Sequence, residues 1–132
     1  MGRHKEGEIF NKIKDRFIQA YDIVVIYKQY RFSLANAEAQ QLTPTQKQIL
    51  DRVICLRADY LAVDRAGNYH IVEVKRNLDL KALGQLLGYR IMLARKQEVE
   101  ESKVRLHAVF EQAYETIKDI YRRYNILLWE VG

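Results

Sequence analysis

The sequence predicts a mixed α/β fold, a sheet of about five strands flanked by helices. Three observations lead there. Two segments, 6–19 and 79–96, place apolar residues at helical spacing. Others, at 22–30, 57–75 and 103–110, are β-branched or alternate apolar with polar. The two kinds follow one another as helix, strand, excursion, strand, strand, helix, strand, helix, strand, with no repeat, linker or low-complexity run between them. A chain of 132 residues buries a sufficient core without staples, so residues 1–132 are expected to form a single domain.

The first helix is expected over Glu6–Gln19, with Ile9, Phe10, Ile13 and Phe17 inward. Glu6 precedes Ile9 and Phe10 by one turn and extends that stripe, whereas Glu8 falls on the solvated side. Glu6 is either a carboxylate favoured by the helix dipole or one that points inward at something positive. Asp22–Tyr30 is a strand whose Ile-Val-Val-Ile run suggests burial on both faces and a central place in the sheet. Arg31–Leu42 reads as a short helix or a mobile excursion. Thr43-Pro44 then opens a helix to about Arg52, with Thr43 as cap and Ile49 and Val53 inward.

A hairpin occupies Ile54–Lys75. The next helix, Asp79–Lys96, is capped by Asp79 and presents Leu80, Leu83, Leu86, Leu87, Ile91 and Ala94 to a core. Gln97–Ser102 is a loop, Lys103–Phe110 an alternating strand, and Ala113–Tyr124 a helix with Ile117, Ile120, Tyr121 and Tyr124 inward. Ile126–Val131 closes the chain as a strand.

Composition narrows the function. Nothing approaches the roughly 18 consecutive apolar residues of a membrane span, and the charged N-terminus lacks the apolar core of a signal peptide. A single cysteine, Cys55, excludes an internal disulfide and a cysteine-based zinc site and suggests a reducing, cytoplasmic setting. Only three histidines are present, which disfavours a histidine-rich metal site. The chain has 22 Lys+Arg against 17 Asp+Glu, a net charge of +5. That balance leans towards a polyanionic partner such as nucleic acid.

The hairpin carries the chemistry. Glu-x-Lys is meaningless by itself, and Glu101-Ser102-Lys103 repeats it inside a polar run. In Tyr69–Lys75, however, alternation puts Tyr69, Ile71, Glu73 and Lys75 on one face and His70, Val72 and Val74 on the other. Arg65-Ala66-Gly67 fits a three-residue loop closed by a left-handed glycine. Asp64 then pairs with Asn68, which sets Asp59 opposite Glu73 and Arg57 opposite Lys75. Like charges so opposed are destabilising, and two facing carboxylates attract a cation. Asp59, Glu73, the Val74 carbonyl and waters match the few oxygen ligands that Mg²⁺ keeps in phosphoryl-transfer sites, where the metal activates water. Lys75 would orient or deprotonate that water, or neutralise developing charge. The plainer alternative is a surface ion pair of Glu73 with Lys75 or Arg57.

On the long helix, Gln85 and Tyr89 recur at i and i+4 on a polar strip, with Lys81 one turn earlier, opposite Leu83 and Leu87. Gly84 and Gly88 suggest close approach, either by the sheet or by a nucleic-acid strand. Lys81, Arg90 and Arg95 are candidates for phosphate contacts, or simply a solvated face.

These residues together resemble the PD-(D/E)XK nucleases, the restriction-endonuclease-like superfamily, over most of the chain. Asp59 and Glu73-Val74-Lys75 stand on successive strands before a helix, and Gln85-Leu86-Leu87-Gly88-Tyr89 matches the Gln-x-x-x-Tyr signature of the RecB-like branch. The start, Gly2-Arg3-His4-Lys5-Glu6-Gly7-Glu8-Ile9-Phe10, is similar to archaeal Holliday-junction resolvases, and proteins of this type also occur in archaeal viruses. Ala58 departs from the proline usual before the aspartate. The resemblance implies Asp59, Glu73 and Glu6 at a metal site and Lys75 as catalytic lysine, with Gln85 and Tyr89 positioning catalytic residues or DNA. It therefore implies a Mg²⁺-dependent DNA nuclease acting as an endonuclease, with Mn²⁺ able to substitute. A homodimer is expected, because cutting duplex or branched DNA often needs two sites, and the setting would be the host cytoplasm for a viral protein. The alternative is a non-catalytic nucleic-acid-binding protein that retains the nuclease fold.

Overall fold

The computed structural model describes residues 2–32, 41–46 and 57–132, with side chains from residue 6 onward. The expectations for 33–40 and 47–56, which cover most of the excursion, most of the second helix with Ile49 and Val53, and Cys55, lie outside the described residues.

The described elements are α1 (Gly2–Asn11), α2 (Lys14–Tyr21), β1 (Ile23–Arg31), β2 (Arg57–Asp64), β3 (Tyr69–Asn77), α3 (Leu80–Gln97), β4 (Val104–Gln112), α4 (Glu115–Arg123) and β5 (Leu127–Glu130). They build a five-stranded sheet in the order β1-β2-β3-β4-β5. β1, β2 and β3 are antiparallel, and β3, β4 and β5 are parallel through crossovers that carry α3 and α4. The mixed α/β fold with helices flanking the sheet is thus as the sequence predicts.

Helices cover both faces. Ile9, Phe10, Ile13 and Phe17 pack on Tyr60, Ala62, Val72, Val74 and Val109. On the other face Ala82, Leu86, Tyr89 and Leu93 of α3, with Tyr121 of α4, meet Leu61, Ile71, Leu106, Ala108 and Phe110. The central strands β3 and β4 are therefore apolar on both sides, as parallel strands under two helical layers must be.

Four expectations are corrected. The N-terminal helix is two helices, broken after Asn11, and its inward stripe survives because Ile13 and Phe17 continue it across the break. β1 is an edge strand, with Val24 52% and Tyr27 49% exposed, so its β-branched run reflects strand propensity and not two-sided burial. The buried face of α3 is turned by about one residue: Leu80 and Ile91 are exposed, while Leu86, Tyr89 and Leu93 are buried. Tyr124 is exposed at the end of α4.

Local signals at three ends were legible. Asp79 accepts the Ala82 N–H at 3.1 Å and starts α3. Thr43 Oγ1 accepts the Gln46 N–H at 3.1 Å, and the Thr43 N–H donates to Gln46 Oε1 at 2.9 Å, a reciprocal capping box. In the β2–β3 turn the Asp64 N–H donates to the Asn68 carbonyl and the Gly67 N–H to the Asp64 carbonyl, with Gly67 at φ 88°. No helix among the described residues is long and apolar enough to cross a membrane.

Candidate functional site

The turn sets the register. Tyr60 pairs with Val72, Leu61 with Ile71, Ala62 with His70 and Val63 with Tyr69. Extending that register brings Asp59 to Glu73, and their side chains cross between the strands. The Asp59 N–H donates to Glu73 Oε1 at 3.2 Å, and the Val74 N–H donates to Asp59 Oδ2 at 2.7 Å. Neither strand could slip by one residue without sending one carboxyl to the opposite face.

Glu73 is 5% exposed. Burial and the neighbouring Asp59 charge push its carboxyl up to about 8, against the pull of the Asp59 N–H and of Lys75. Burial raises Asp59 as well, opposed by the Val74 N–H, by Glu6 and by Lys75. The Glu73 shift thus reflects both burial and the neighbouring Asp59 charge, while that of Asp59 reflects burial alone.

Glu6 joins them from α1. Its side chain is within hydrogen-bonding reach of Asp59 and adds to the negative field on Glu73, while Glu8 is exposed. Glu6 thus faces Asp59, a carboxylate and not a positive group. Tyr60, stacked on Phe10 at a ring separation of 4.0 Å, stands in the same field, and burial, Asp59 and Glu6 all raise its hydroxyl. The sequence offered no sign of Tyr60 beyond its place next to Asp59.

The other candidates fall into place unequally. Lys75 follows Glu73 on the same face, partly buried, opposite Phe110 of β4. Gln85 is partly buried on α3. Tyr89 is not on an exposed polar strip: it is 2% exposed, stacked on Phe32 with ring centres 4.5 Å apart, and its hydroxyl donates to the Arg57 carbonyl at 3.1 Å. That bond ties α3 to the start of β2, two residues before Asp59. The strip was misplaced because i,i+4 spacing says which side chains are neighbours but not how the helix is rotated. Lys81 is exposed, and Arg90 lies 3.8 Å from Glu101. Arg95 is exposed near the end of α3. An added Cβ at Gly84 or Gly88 meets nothing within 4 Å, so packing on the described sheet does not explain either glycine.

Chemically, the site is a carboxylate pair with a third carboxyl alongside. Among the described residues no three or more His, Cys, Asp or Glu side chains are gathered so that they could hold a metal ion by themselves. The donor set nevertheless fits a hard divalent cation. It is all oxygen, it is over-negative, and Mg²⁺ is commonly held by one or two carboxylates with waters and substrate phosphate completing its shell.

No protein-family model and no curated protein sequence matches the chain. Solved structures do. A repair endonuclease from Pyrococcus abyssi superposes with a TM-score of 0.58 at 22% identity, over 96% of this chain and 46% of that one. The chain shares its fold. EndoMS in complex with double-stranded DNA is similar with a TM-score of 0.50 at 18% identity, over 81% of this chain and 36% of that one. The chain thus spans less than half the length of either neighbour.

Proposed function

We propose that the chain is a divalent-metal-dependent DNA nuclease, an endonuclease of the PD-(D/E)XK type in its RecB-like branch. The observation that carries this is the Asp59–Glu73 pair, Glu73 buried and Asp59 partly so, cross-bonded between β2 and β3 with Lys75 one step further on the same face. The fold, shared with a repair endonuclease and with EndoMS bound to double-stranded DNA, supports the same reading.

Asp59 and Glu73, with the Val74 carbonyl and Glu6, would hold the cation. A divalent ion there lowers the pKa of water and stabilises charge on a phosphodiester. Asp59 and Glu73 lose their excess repulsion when it binds. Lys75 directs its ammonium at the reacting phosphate, where it orients the attacking water and neutralises developing charge. Tyr89 positions Asp59 indirectly, through the Arg57 carbonyl. Gln85 lies one turn before Tyr89 and positions the same region. Lys81, Arg90 and Arg95 contribute to phosphate binding, Arg90 after leaving Glu101. Mg²⁺ is the expected ion and Mn²⁺ substitutes. Two copies of the chain act as a homodimer on DNA in the cytoplasm, that of the host for a viral protein.

The test incubates labelled linear, closed-circular and four-way-junction DNA with the protein, with and without Mg²⁺ or Mn²⁺. Cleavage of at least one substrate, dependent on metal and reduced about 100-fold or more in Lys75→Ala, is expected. A closed circle that is cut establishes endonuclease action. Folded protein that binds DNA and cuts none of the three favours the other reading, a non-catalytic DNA-binding protein. That reading draws on the backbone bonds already occupying Asp59 and Glu73.

A further inference from the structure

Beyond Lys75 the parallel strands β3 and β4 end side by side, with Asn77 in register with Gln112. The Leu78 N–H donates to the Gln112 carbonyl at 2.9 Å and closes the pair. There the chain leaves β3 for α3 and β4 for α4, and the gap between the two exits is a cavity of about 380 Å³ lined by Asn77, Leu78, Gln112, Ala113 and Tyr114. The carboxyl ends of strands are where open α/β sheets place ligands. Asn77 stands two residues past Lys75, which puts the cavity roughly 7 Å further along the row Glu73–Lys75.

The lining has a definite chemistry. Leu78 is buried and Ala113 partly so, giving an apolar wall. Asn77 and Gln112 expose two carboxamides, each with donors and an acceptor. Tyr114, at the N-cap of α4, makes no capping bond through its side chain and is 84% exposed. No lysine or arginine is among the lining residues, so the cavity is suited to a flat, neutral, polar-edged group and not to a phosphate. Carboxamides read the edges of bases, and aromatic rings stack on their faces.

We propose that this cavity receives an unpaired nucleobase of the DNA strand whose neighbouring phosphate lies at Lys75, the base stacking on Tyr114 with its edge hydrogen-bonded to Asn77 and Gln112. The proposal rests on the reading of Asp59, Glu73 and Lys75 as a phosphodiester-cleaving site. Bases within a duplex are stacked and paired, so the base that enters belongs to a single-stranded segment or has been turned out of the helix. The chain therefore prefers DNA with unpaired nucleotides at the cleavage point.

The full chain is tested by fluorescence anisotropy in Ca²⁺ with three probes: a short single-stranded oligothymidylate, an abasic strand with the same number of phosphates, and a blunt duplex. The wild type should bind the oligothymidylate about tenfold more tightly than the abasic strand. Tyr114→Ala should remove that preference and Tyr114→Phe should keep it, while thermal melting confirms that both variants fold. Equal binding of the two single strands by the wild type, or an undiminished preference in Tyr114→Ala, overturns the proposal. Metal-dependent cleavage lost in Lys75→Ala, measured alongside, separates the two ideas. Cleavage without a Tyr114-dependent base preference removes the cavity and keeps the nuclease; a base preference in a protein that cuts nothing does the reverse.

Discussion

Glu73 has the most to lose at high pH. Its folded-state carboxyl is raised to about 8 from an ordinary 4.5, so the folded chain holds this proton more tightly than the unfolded one. The stability contributed by that tighter hold is complete below about 4.5 and disappears as pH rises through about 8. Asp59 shifts in the same direction. The buried His70 and His107 are held below their ordinary 6.5, chiefly by burial, and act oppositely: their contribution is complete above 6.5 and declines as pH falls. In EDTA, Tm measured from about pH 5 to about pH 9 should therefore fall on the alkaline side, and Glu73→Gln should flatten that limb while leaving the acid limb in place. An unchanged alkaline limb in the variant contradicts the assignment. Tyr89→Phe should lower stability by about 1 kcal/mol, by removing the donor to the Arg57 carbonyl, and should also reduce cleavage, because Asp59 loses its anchor. A melt paired with a cleavage assay checks both. Asp59 and Glu73 were legible as opposed residues because turn length and alternation are local rules. The setting of Tyr89 was not, because it depends on Phe32, far away in sequence.

At the scale of elements the hairpin depends on one backbone conformation. Gly67 sits at φ 88° with open space around a would-be Cβ, so Gly67→Ala introduces backbone strain without a clash. The expected cost is about 1–2 kcal/mol, read as a lowered urea midpoint with an unchanged m value. A changed m value would indicate altered pairing instead. Beneath the same turn runs a buried chain of side-chain bonds: Trp129 Nε1 donates to His107 Nδ1, His107 Nε2 meets His70 Nδ1, and His70 Nε2 meets Asp64 Oδ2. The indole has only a donor, so each neutral ring must donate from Nε2, and every bond in the row points towards Asp64. Asp64 in turn accepts the Asn68 N–H and fixes the loop. None of this was legible, since His70, His107 and Trp129 meet only once β3, β4 and β5 are laid parallel. Hairpin register and helix caps were legible because each is decided within a few residues.

Across the whole molecule, the antiparallel half of the sheet meets the parallel half at β3, and β3 carries Glu73, Lys75 and Asn77 in succession. The carboxylate site and the cavity at the strand ends thus lie along one strand. Element order was legible because periodicity switches cleanly along the chain, but the edge position of β1 was not, since β-branched runs serve edge and centre alike. Gly84 and Gly88 face open space, and nothing in the described chain accounts for them. The central claim is that the Asp59–Glu73 pair exists to hold a divalent cation, and it is tested most directly by calorimetric titration of Mn²⁺ into the wild type and into Glu73→Gln at about pH 8. Binding by the wild type with release of protons, and its loss in the variant, is predicted. A wild type that binds no Mn²⁺, or a variant that binds it equally well, contradicts it.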